Sequence, residues 1–185
     1  MNSIIITASG GKFDIMEPHQ DDINIFDIAH ALSMQCRFNG HCKHFYSVAQ
    51  HSVRVATILH DAGYGRIISL MGLIHDATEA YIGDVVTPLK AQLENYKAIE
   101  ARIDQAIHFR FGIFSEPERA REYVKGADIA MLLAERRDLL PESKVEWTIK
   151  DTEFDFHAIE EITPLHPRDA ESLFLNAFNH LYKGK

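Results

Sequence analysis

Apolar residues recur at helical spacing along most of the chain, which predicts a mostly helical protein. Val48, Val55 and Leu59 lie on one apolar stripe, and Ile67 and Ile74 lie on the next. The predicted helices cover residues 24–35, 47–61, 65–82, 91–111, 116–124, 126–139 and 167–182.

Turn and capping residues indicate where several elements begin. A Ser-Gly-Gly turn separates two short apolar runs, which predicts an N-terminal β-hairpin of residues 4–7 and 12–15. Ser47 and Gln50 have the spacing of a capping box, so a helix is expected to begin there. The predicted fold class is therefore all-α, with a short hairpin at the N-terminus.

Four nitrogen and oxygen donors lie on or beside the apolar stripes. His51 follows the start of one stripe, His75 and Asp76 come at the end of the next, and Asp128 interrupts a third apolar run. Imidazole and carboxylate groups suit zinc, cobalt, manganese or iron. A buried carboxylate is also costly unless a cation or a hydrogen-bond network compensates it. The pattern predicts a divalent metal site, although any one of these histidines alone is more often an ordinary core or surface residue.

The order of these four donors resembles the HD-domain metal-dependent phosphohydrolases. The resemblance implies that His51, His75, Asp76 and Asp128 bind a divalent metal ion, which could be cobalt, manganese, zinc, magnesium or nickel. It also implies a helical bundle with the activity of a phosphoric ester hydrolase.

Further segments narrow this resemblance. Glu79, Asp84 and residues 87–90 resemble the 5'-deoxynucleotidase branch of the superfamily. Residues 27–33, 36–41 and 45–52 look like a compact, often phage-encoded group that includes dATP triphosphohydrolases. The resemblance covers about residues 11–140 and is weak beyond them.

The resemblance implies catalytic roles for two acids. Glu79 would manage the proton of the attacking water, and its place four residues after His75 puts both on one helix face. The alternative is an exposed helix glutamate. Asp84 would orient the substrate or a ligand, or would only cap the turn after Gly83.

The same resemblance proposes residues that hold the substrate. Arg37, Lys43 and Lys90 are candidates for binding phosphate oxygens, with arginine suited to bidentate contacts and lysine acting as a point charge. Each could instead be a solvated surface charge.

The base pocket is predicted from three matching positions, Phe13, Ile15 and Pro88. An aromatic face can stack on a base, and a branched aliphatic can reject an extra exocyclic amine. Phe13 stands where a tryptophan is expected, so base preference stays open. Phe13 and Ile15 could equally be core residues of the hairpin.

Composition limits the partners and the compartment. The net charge of -8 argues against nucleic-acid binding, which depends on clustered lysine and arginine. Two cysteines do not make a disulfide framework, and no run is apolar enough for a membrane span. We expect a cytoplasmic protein, in the host cytoplasm if phage-encoded, with reduced thiols. A homo-oligomer is expected from the resemblance.

Of the 185 residues, 46% are apolar, which is enough for one compact core. A single domain of residues 1–185 is therefore predicted, with a motif-bearing core at about 11–140. Residues 141–185 add an irregular segment and a helix.

Three functions are compatible with these observations. The leading one is a deoxynucleoside triphosphate triphosphohydrolase that prefers dATP and releases deoxynucleoside and triphosphate. The alternative is a 5'-deoxynucleotidase that acts on monophosphates. A further alternative is a non-catalytic module that binds nucleotide or metal.

Overall fold

The computed structural model describes residues 3–115, 117, 119–149 and 152–184. Helices make up 57% of the chain and strands 4%, which confirms the predicted all-α class with an N-terminal hairpin. The helices are α1 Ile25–Met34, α2 Val48–Asp61, α3 Gly65–Ile74, α4 Glu79–Ile82, α5 Thr87–Lys90, α6 Tyr96–Arg110, α7 Ala120–Leu139 and α8 Pro167–Leu181.

The hairpin packs on the first helix through a polar clamp. Strands β1 Ile4–Ile6 and β2 Lys12–Asp14 pair in antiparallel register, with Ile5 opposite Phe13. At the turn, the Ser9 backbone N–H and hydroxyl both donate to the Asp27 carboxylate, at 2.6 and 2.9 Å. The buried Asp27 carboxylate is thereby satisfied, and the turn is fixed to α1.

Close packing of α2 on α3 sets the geometry of the predicted metal donors. Gly72 permits this approach, because a Cβ atom there would collide with the Leu59 side chain and lie 3.4 Å from the Ala56 Cα. One turn after Gly72, the ring of His75 lies 5.3 Å from the ring of His51, centroid to centroid. The glycine therefore helps to bring two histidines from different helices together.

The predicted helix 65–82 is wrong as one continuous element, since it breaks after Ile74. Glu79 N–H donates to the Asp76 carbonyl at 3.0 Å, a bond to the third preceding residue that tightens the chain. Residues 75–78 form turns, and α4 begins at Glu79. The sharp turn holds His75, Asp76 and Glu79 close to one another.

Two further helix predictions need correction. The predicted pair 116–124 and 126–139 is one helix, α7, in which Gly126 lies under the ring of Phe154 and accepts a hydrogen bond from Thr152. Glu116 and Glu118 lie outside the described residues. The helix predicted at 91–111 begins at Tyr96, after the short α5, which the sequence analysis missed.

The irregular segment before α8 is anchored to the helices. The Gln50 side chain donates to the Thr163 carbonyl and accepts from the Leu165 N–H, at 2.8 and 2.9 Å. The guanidinium of Arg136 lies over the Trp147 ring at 4.7 Å. Helix α8 packs against α1, α2 and α3, and its Phe174 is fully buried in the core. None of the described helices is long and apolar enough to cross a membrane.

Candidate metal centre

The structure brings all four predicted metal donors together. His51 comes from the first turn of α2, His75 and Asp76 follow α3, and Asp128 lies on α7. His51 Nε2 lies 3.2 Å from Asp128 Oδ1 and 3.7 Å from Asp76 Oδ2, while His75 Nε2 lies 3.2 Å from Asp76 Oδ2. Donor atoms of His51, His75 and Asp76 all lie within 4.8 Å of one another, so this group could hold a metal ion.

Both imidazole rings are oriented by hydrogen bonds at Nδ1. His51 Nδ1 donates to Glu135 Oε1 at 2.6 Å, and His75 Nδ1 donates to the Gly72 carbonyl at 2.7 Å. Among the described residues, neither Nε2 atom has a hydrogen-bond partner, although both are buried. Metal-binding histidines have this arrangement, because the outer bond fixes the tautomer and leaves the other nitrogen for the ion. The residues present therefore fit a divalent metal ion.

The charges of the cluster depend strongly on one another. Burial raises the pKa values of Asp76 and Asp128, but the neighbouring His75 and His51 outweigh it and hold both pKa values below the usual range. Burial and Arg37 lower the pKa of His51, yet Glu135 and Asp128 more than offset them, and the pKa rises to about 9. The imidazole ring of His51 is therefore held in its charged form, and its positive charge balances the nearby carboxylates. A metal ion would displace that proton on binding.

Glu135 completes the cluster, and the sequence analysis missed it. Its carboxylate is fully buried, receives the His51 bond on Oε1, and accepts from Arg37 Nε on Oε2 at 3.1 Å. Burial raises its pKa, but Arg37 and His51 outweigh that effect, so the carboxylate stays charged. Glu135 lies seven residues after Asp128 on α7, about two helical turns, hence on the same face. That spacing was the available signal.

Arg37 lies beside the metal donors, but carboxylates already surround it. Besides Glu135, its Nη1 lies 3.6 Å from Asp76 Oδ2. Only 11% of the side chain is exposed, so the surface-charge alternative for Arg37 is wrong. The arginine is thus held at the centre, where it balances Glu135.

Lys43, unlike Arg37, is an exposed side chain that contacts the end of α7. Its Nζ donates to the Asp138 carbonyl there, at 3.2 Å. Within the described residues, no contact joins Lys43 to the metal donors.

The two cysteines are free thiols that lie close together, with Cys42 Sγ 3.5 Å from Cys36 Sγ.

Glu79 is buried next to the centre rather than exposed on a helix surface. Its Oε2 has no hydrogen-bond partner among the described residues, and burial together with Asp76 and Asp84 raises its pKa to about 10. The pKa of Asp84 is also raised, mainly by burial. Gln35 ties the two acids together, because its amide donates to the Glu79 carbonyl and accepts from the Asp84 N–H.

Lys90, like Arg37, is a cation whose charge acts on this acidic pair. Its Nζ forms an ion pair with Glu100 at 2.7 Å and lies 5.1 Å from the centre of the Tyr96 ring. The positive charge of Lys90 partly opposes the raised pKa values of Glu79 and Asp84. Lys90 therefore acts on the acids electrostatically, while Glu100 holds its ammonium group.

The residues proposed for the base pocket differ in burial. Phe13 is fully buried and stacks on Tyr81, with ring centres 3.8 Å apart, which supports the core alternative left open above. Ile15 is partly buried and packs against the core. Pro88 is exposed near the start of α5. One face of Phe13 is covered by Tyr81, so the base preference inferred from Phe13 has no support in this geometry.

Comparisons with known proteins identify relatives along most of the chain. No protein-family model matches it. It is 40% identical over 181 residues to the uncharacterised protein YfdR of Escherichia coli K12. The aligned region covers 97% of this chain and 96% of YfdR. It is 35% identical over 144 residues to an uncharacterised protein of Rhodobacter capsulatus, covering 75% of this chain and 74% of that protein.

Proposed function

We propose that this chain, which belongs to the same family as YfdR, is a metal-dependent phosphohydrolase that acts on deoxynucleotides. One observation carries the proposal. Two buried Nε2 atoms, on His51 and His75, converge with the carboxylates of Asp76 and Asp128, and neither nitrogen has a hydrogen-bond partner in the described residues. Two nitrogens and two carboxylates leave open positions on an octahedral ion for water and substrate.

His51, His75, Asp76 and Asp128 would hold the ion. A bound divalent ion supplies Lewis-acid polarisation of a phosphoryl oxygen and a lower pKa for the attacking water. Cobalt, manganese, zinc, magnesium and nickel all remain candidates, since this donor set is compatible with each.

The chain's own residues supply positioning and proton transfer. Glu135 holds the ring of His51 in place, and Arg37 keeps Glu135 charged. Glu79, whose pKa of about 10 keeps its carboxyl protonated near neutral pH, would hold a proton and donate it near the reacting phosphate. The Gln35 side chain bridges the backbones of Glu79 and Asp84, and Asp84 would orient the substrate.

The proposed substrate is a deoxynucleoside triphosphate, cleaved to deoxynucleoside and triphosphate. A preference for dATP rests on the sequence resemblance alone, because Phe13 packs in the core. A 5'-deoxynucleotidase would use the same metal donors and the same Glu79, so the products must distinguish the two activities.

Product analysis on a substrate panel tests the proposal. Purified protein, stripped of metal and reloaded with Mn²⁺, Co²⁺, Zn²⁺, Mg²⁺ or Ni²⁺, is incubated with deoxynucleoside mono- and triphosphates. We expect deoxynucleoside and triphosphate as products. Release of deoxynucleoside and orthophosphate from monophosphates would instead identify the protein as a 5'-deoxynucleotidase. Absence of turnover by metal-loaded protein would contradict both activities and leave a binding module.

A matched pair of variants ties the activity to this centre. Asp76→Ala should abolish bound metal and turnover together. His60 and Asp61 form a second His-Asp pair, which is exposed at the end of α2. Asp61→Ala removes the aspartate of that pair and should change neither the metal content nor the turnover.

A further inference from the structure

The two cysteines lie at the base of a short loop, residues 36–42, which we call the Arg37 loop. The Sγ atoms of Cys36 and Cys42 are 3.5 Å apart, and both side chains are partly exposed. A disulfide holds its sulfurs about 2.05 Å apart, so the two atoms must approach by roughly 1.5 Å to bond. The two thiols are already in contact, and a small movement of the loop is enough to join them.

Anchors on both sides of the loop keep the thiols together. An antiparallel bridge joins Cys36 to Ser47, at the start of α2. Directly after Cys42, the N–H of Lys43 donates to the Leu139 carbonyl at the end of α7, at 2.8 Å. Because both ends of the loop are fixed, each thiol meets the other at a high effective concentration.

The backbone between the two thiols is strained. Phe38 and Asn39 have φ values of 57° and 51°, in the left-handed region that glycine adopts easily, and Gly40 follows with a φ of 76°. Asparagine is tolerated there, but a bulky residue such as phenylalanine rarely is. A covalent bond across the base of the loop would remove alternative conformations and so favour this arrangement.

The loop carries Arg37 into the candidate metal centre. Arg37 Nε donates to Glu135 at 3.1 Å, and its Nη1 lies 3.6 Å from Asp76 Oδ2. The Arg37 carbonyl also accepts the S–H of Cys42, with a sulfur to oxygen distance of 3.7 Å. One residue therefore links the thiol pair to the buried Glu135, and closing the loop would fix the backbone that positions Arg37.

The two thiols differ in reactivity. Burial and the neighbouring Cys36 raise the pKa of Cys42 to about 11, so Cys42 keeps its proton at neutral pH. A thiolate attacks a disulfide, whereas a protonated thiol does not. The first attack on an oxidant therefore falls to Cys36, and Cys42 is the second thiol of the pair.

We propose that Cys36 and Cys42 are a reversible redox modification site, at which glutathione disulfide closes the Arg37 loop with an intramolecular disulfide. The Cys36 thiolate attacks one sulfur of glutathione disulfide, and the first glutathione leaves with the electron pair of the broken S–S bond and takes up a proton. Cys42 then loses its proton and attacks the Cys36 sulfur of the mixed disulfide, which releases the second glutathione. The cysteines are oxidised by two electrons, and glutathione disulfide is reduced to two thiols.

This modification requires neither a metal ion nor a phosphate substrate. It therefore goes beyond the proposed function, and it can hold or fail independently of the hydrolase activity. Disulfides of this kind in reducing compartments are typically transient, so the site is expected to respond to the ratio of oxidised to reduced glutathione.

Equilibration of the full chain in glutathione buffers of increasing oxidised fraction tests the site. The parent should lose both free thiols and two hydrogens in mass, and peptide mapping should join Cys36 to Cys42 within one chain. Dithiothreitol should restore both thiols. Free thiols that persist in glutathione disulfide alone, or disulfides that form only between chains, would overturn the site.

Two serine variants test the order of attack, and each is the matched control of the other. Cys42→Ser should stop at the mixed disulfide and gain the mass of one glutathione at Cys36. Cys36→Ser should be modified roughly tenfold more slowly at pH 7, because burial keeps Cys42 protonated. Equal rates of modification in the two variants would overturn the roles assigned to the two thiols.

Hydrogen exchange measures whether the disulfide closes the loop around Arg37. Amides of residues 37–42 should exchange roughly tenfold more slowly in the oxidised parent than in the reduced parent, because the bond restricts local opening. Amides of α8, which is not part of the loop, should exchange equally in both forms. The double variant Cys36→Ser/Cys42→Ser, treated in the same way, should show no change. Equal exchange of residues 37–42 in both forms of the parent would overturn the closure of the loop.

Discussion

His51 Nδ1 and Glu135 Oε1 lie 2.6 Å apart, and both side chains are fully buried. A buried carboxylate is costly unless it is paired, and here Arg37 and His51 compensate it together. The bond aims the Nε2 atom of His51 at Asp128 and Asp76. Glu135 is therefore a positioning residue of the candidate metal centre.

Replacing Glu135 tests this positioning. Glu135→Gln keeps the shape but removes the charge that holds His51 and Arg37, and outer residues of this kind typically change metal affinity about 10–100-fold. Calorimetry should find that loss with the helical content unchanged by circular dichroism. The exposed Glu160→Gln serves as the control. A metal affinity equal to that of the parent would show that Glu135 only fills the core.

Glu79→Gln should separate metal binding from catalysis. The variant keeps the size of the side chain but cannot exchange a proton, and positioned acids or bases contribute about 10²–10⁴-fold to rate. We expect full metal content and a loss of turnover in that range. Glu94→Gln, an exposed glutamate before α6, should retain the parent rate. Full activity of Glu79→Gln would remove Glu79 from the mechanism.

Glu79 also gives the protein a dependence of stability on pH. Its pKa rises from an ordinary 4.5 to about 10 in the folded chain, chiefly by burial. The folded state therefore binds more protons than the unfolded state between these values, and stability falls as the pH rises through this window. In chelator, Glu79→Gln should melt at a higher temperature than the parent at pH 9, with a smaller difference at pH 5. A difference independent of pH would contradict the raised pKa.

Gly72 links helix packing to the metal donors. Gly72→Ala would place a Cβ atom against Leu59, and overpacking of this kind costs about 1–3 kcal/mol. Spreading α2 from α3 should also separate His51 from His75 and weaken metal binding. Adding Leu59→Val makes room and should restore metal affinity in part. Parent-like stability and metal affinity of Gly72→Ala would mean that the helices do not depend on this close approach.

The sequence predicted that these four side chains would come together, because each lies beside an apolar stripe. His51, His75 and Asp76 follow helical periodicity closely enough that packing the stripes together also brings the donors together. Asp128 stands out in the sequence as an acid within an apolar run. These inferences need only local periodicity and the cost of burying charge.

Other features depend on tertiary contacts that periodicity does not encode. The spacing of Glu135 from Asp128 places both on one face of α7, but the contact of Glu135 with His51 on α2 is not encoded by that spacing. Gly126 suggests a helix break, yet it accommodates the Phe154 ring inside a continuous helix. Phe13 has the pattern of both a core residue and an aromatic platform, and its packing on Tyr81 decides for the core.

Anomalous diffraction from crystals grown with Co²⁺ tests the metal centre most directly. We expect a strong peak between His51 Nε2, His75 Nε2 and the carboxylates of Asp76 and Asp128, at roughly 2.0–2.2 Å from the ligand atoms. The peak should be absent from Asp76→Ala crystals. A peak elsewhere, or no peak at these donors in the parent protein, would contradict the metal centre on which the proposed hydrolase activity depends.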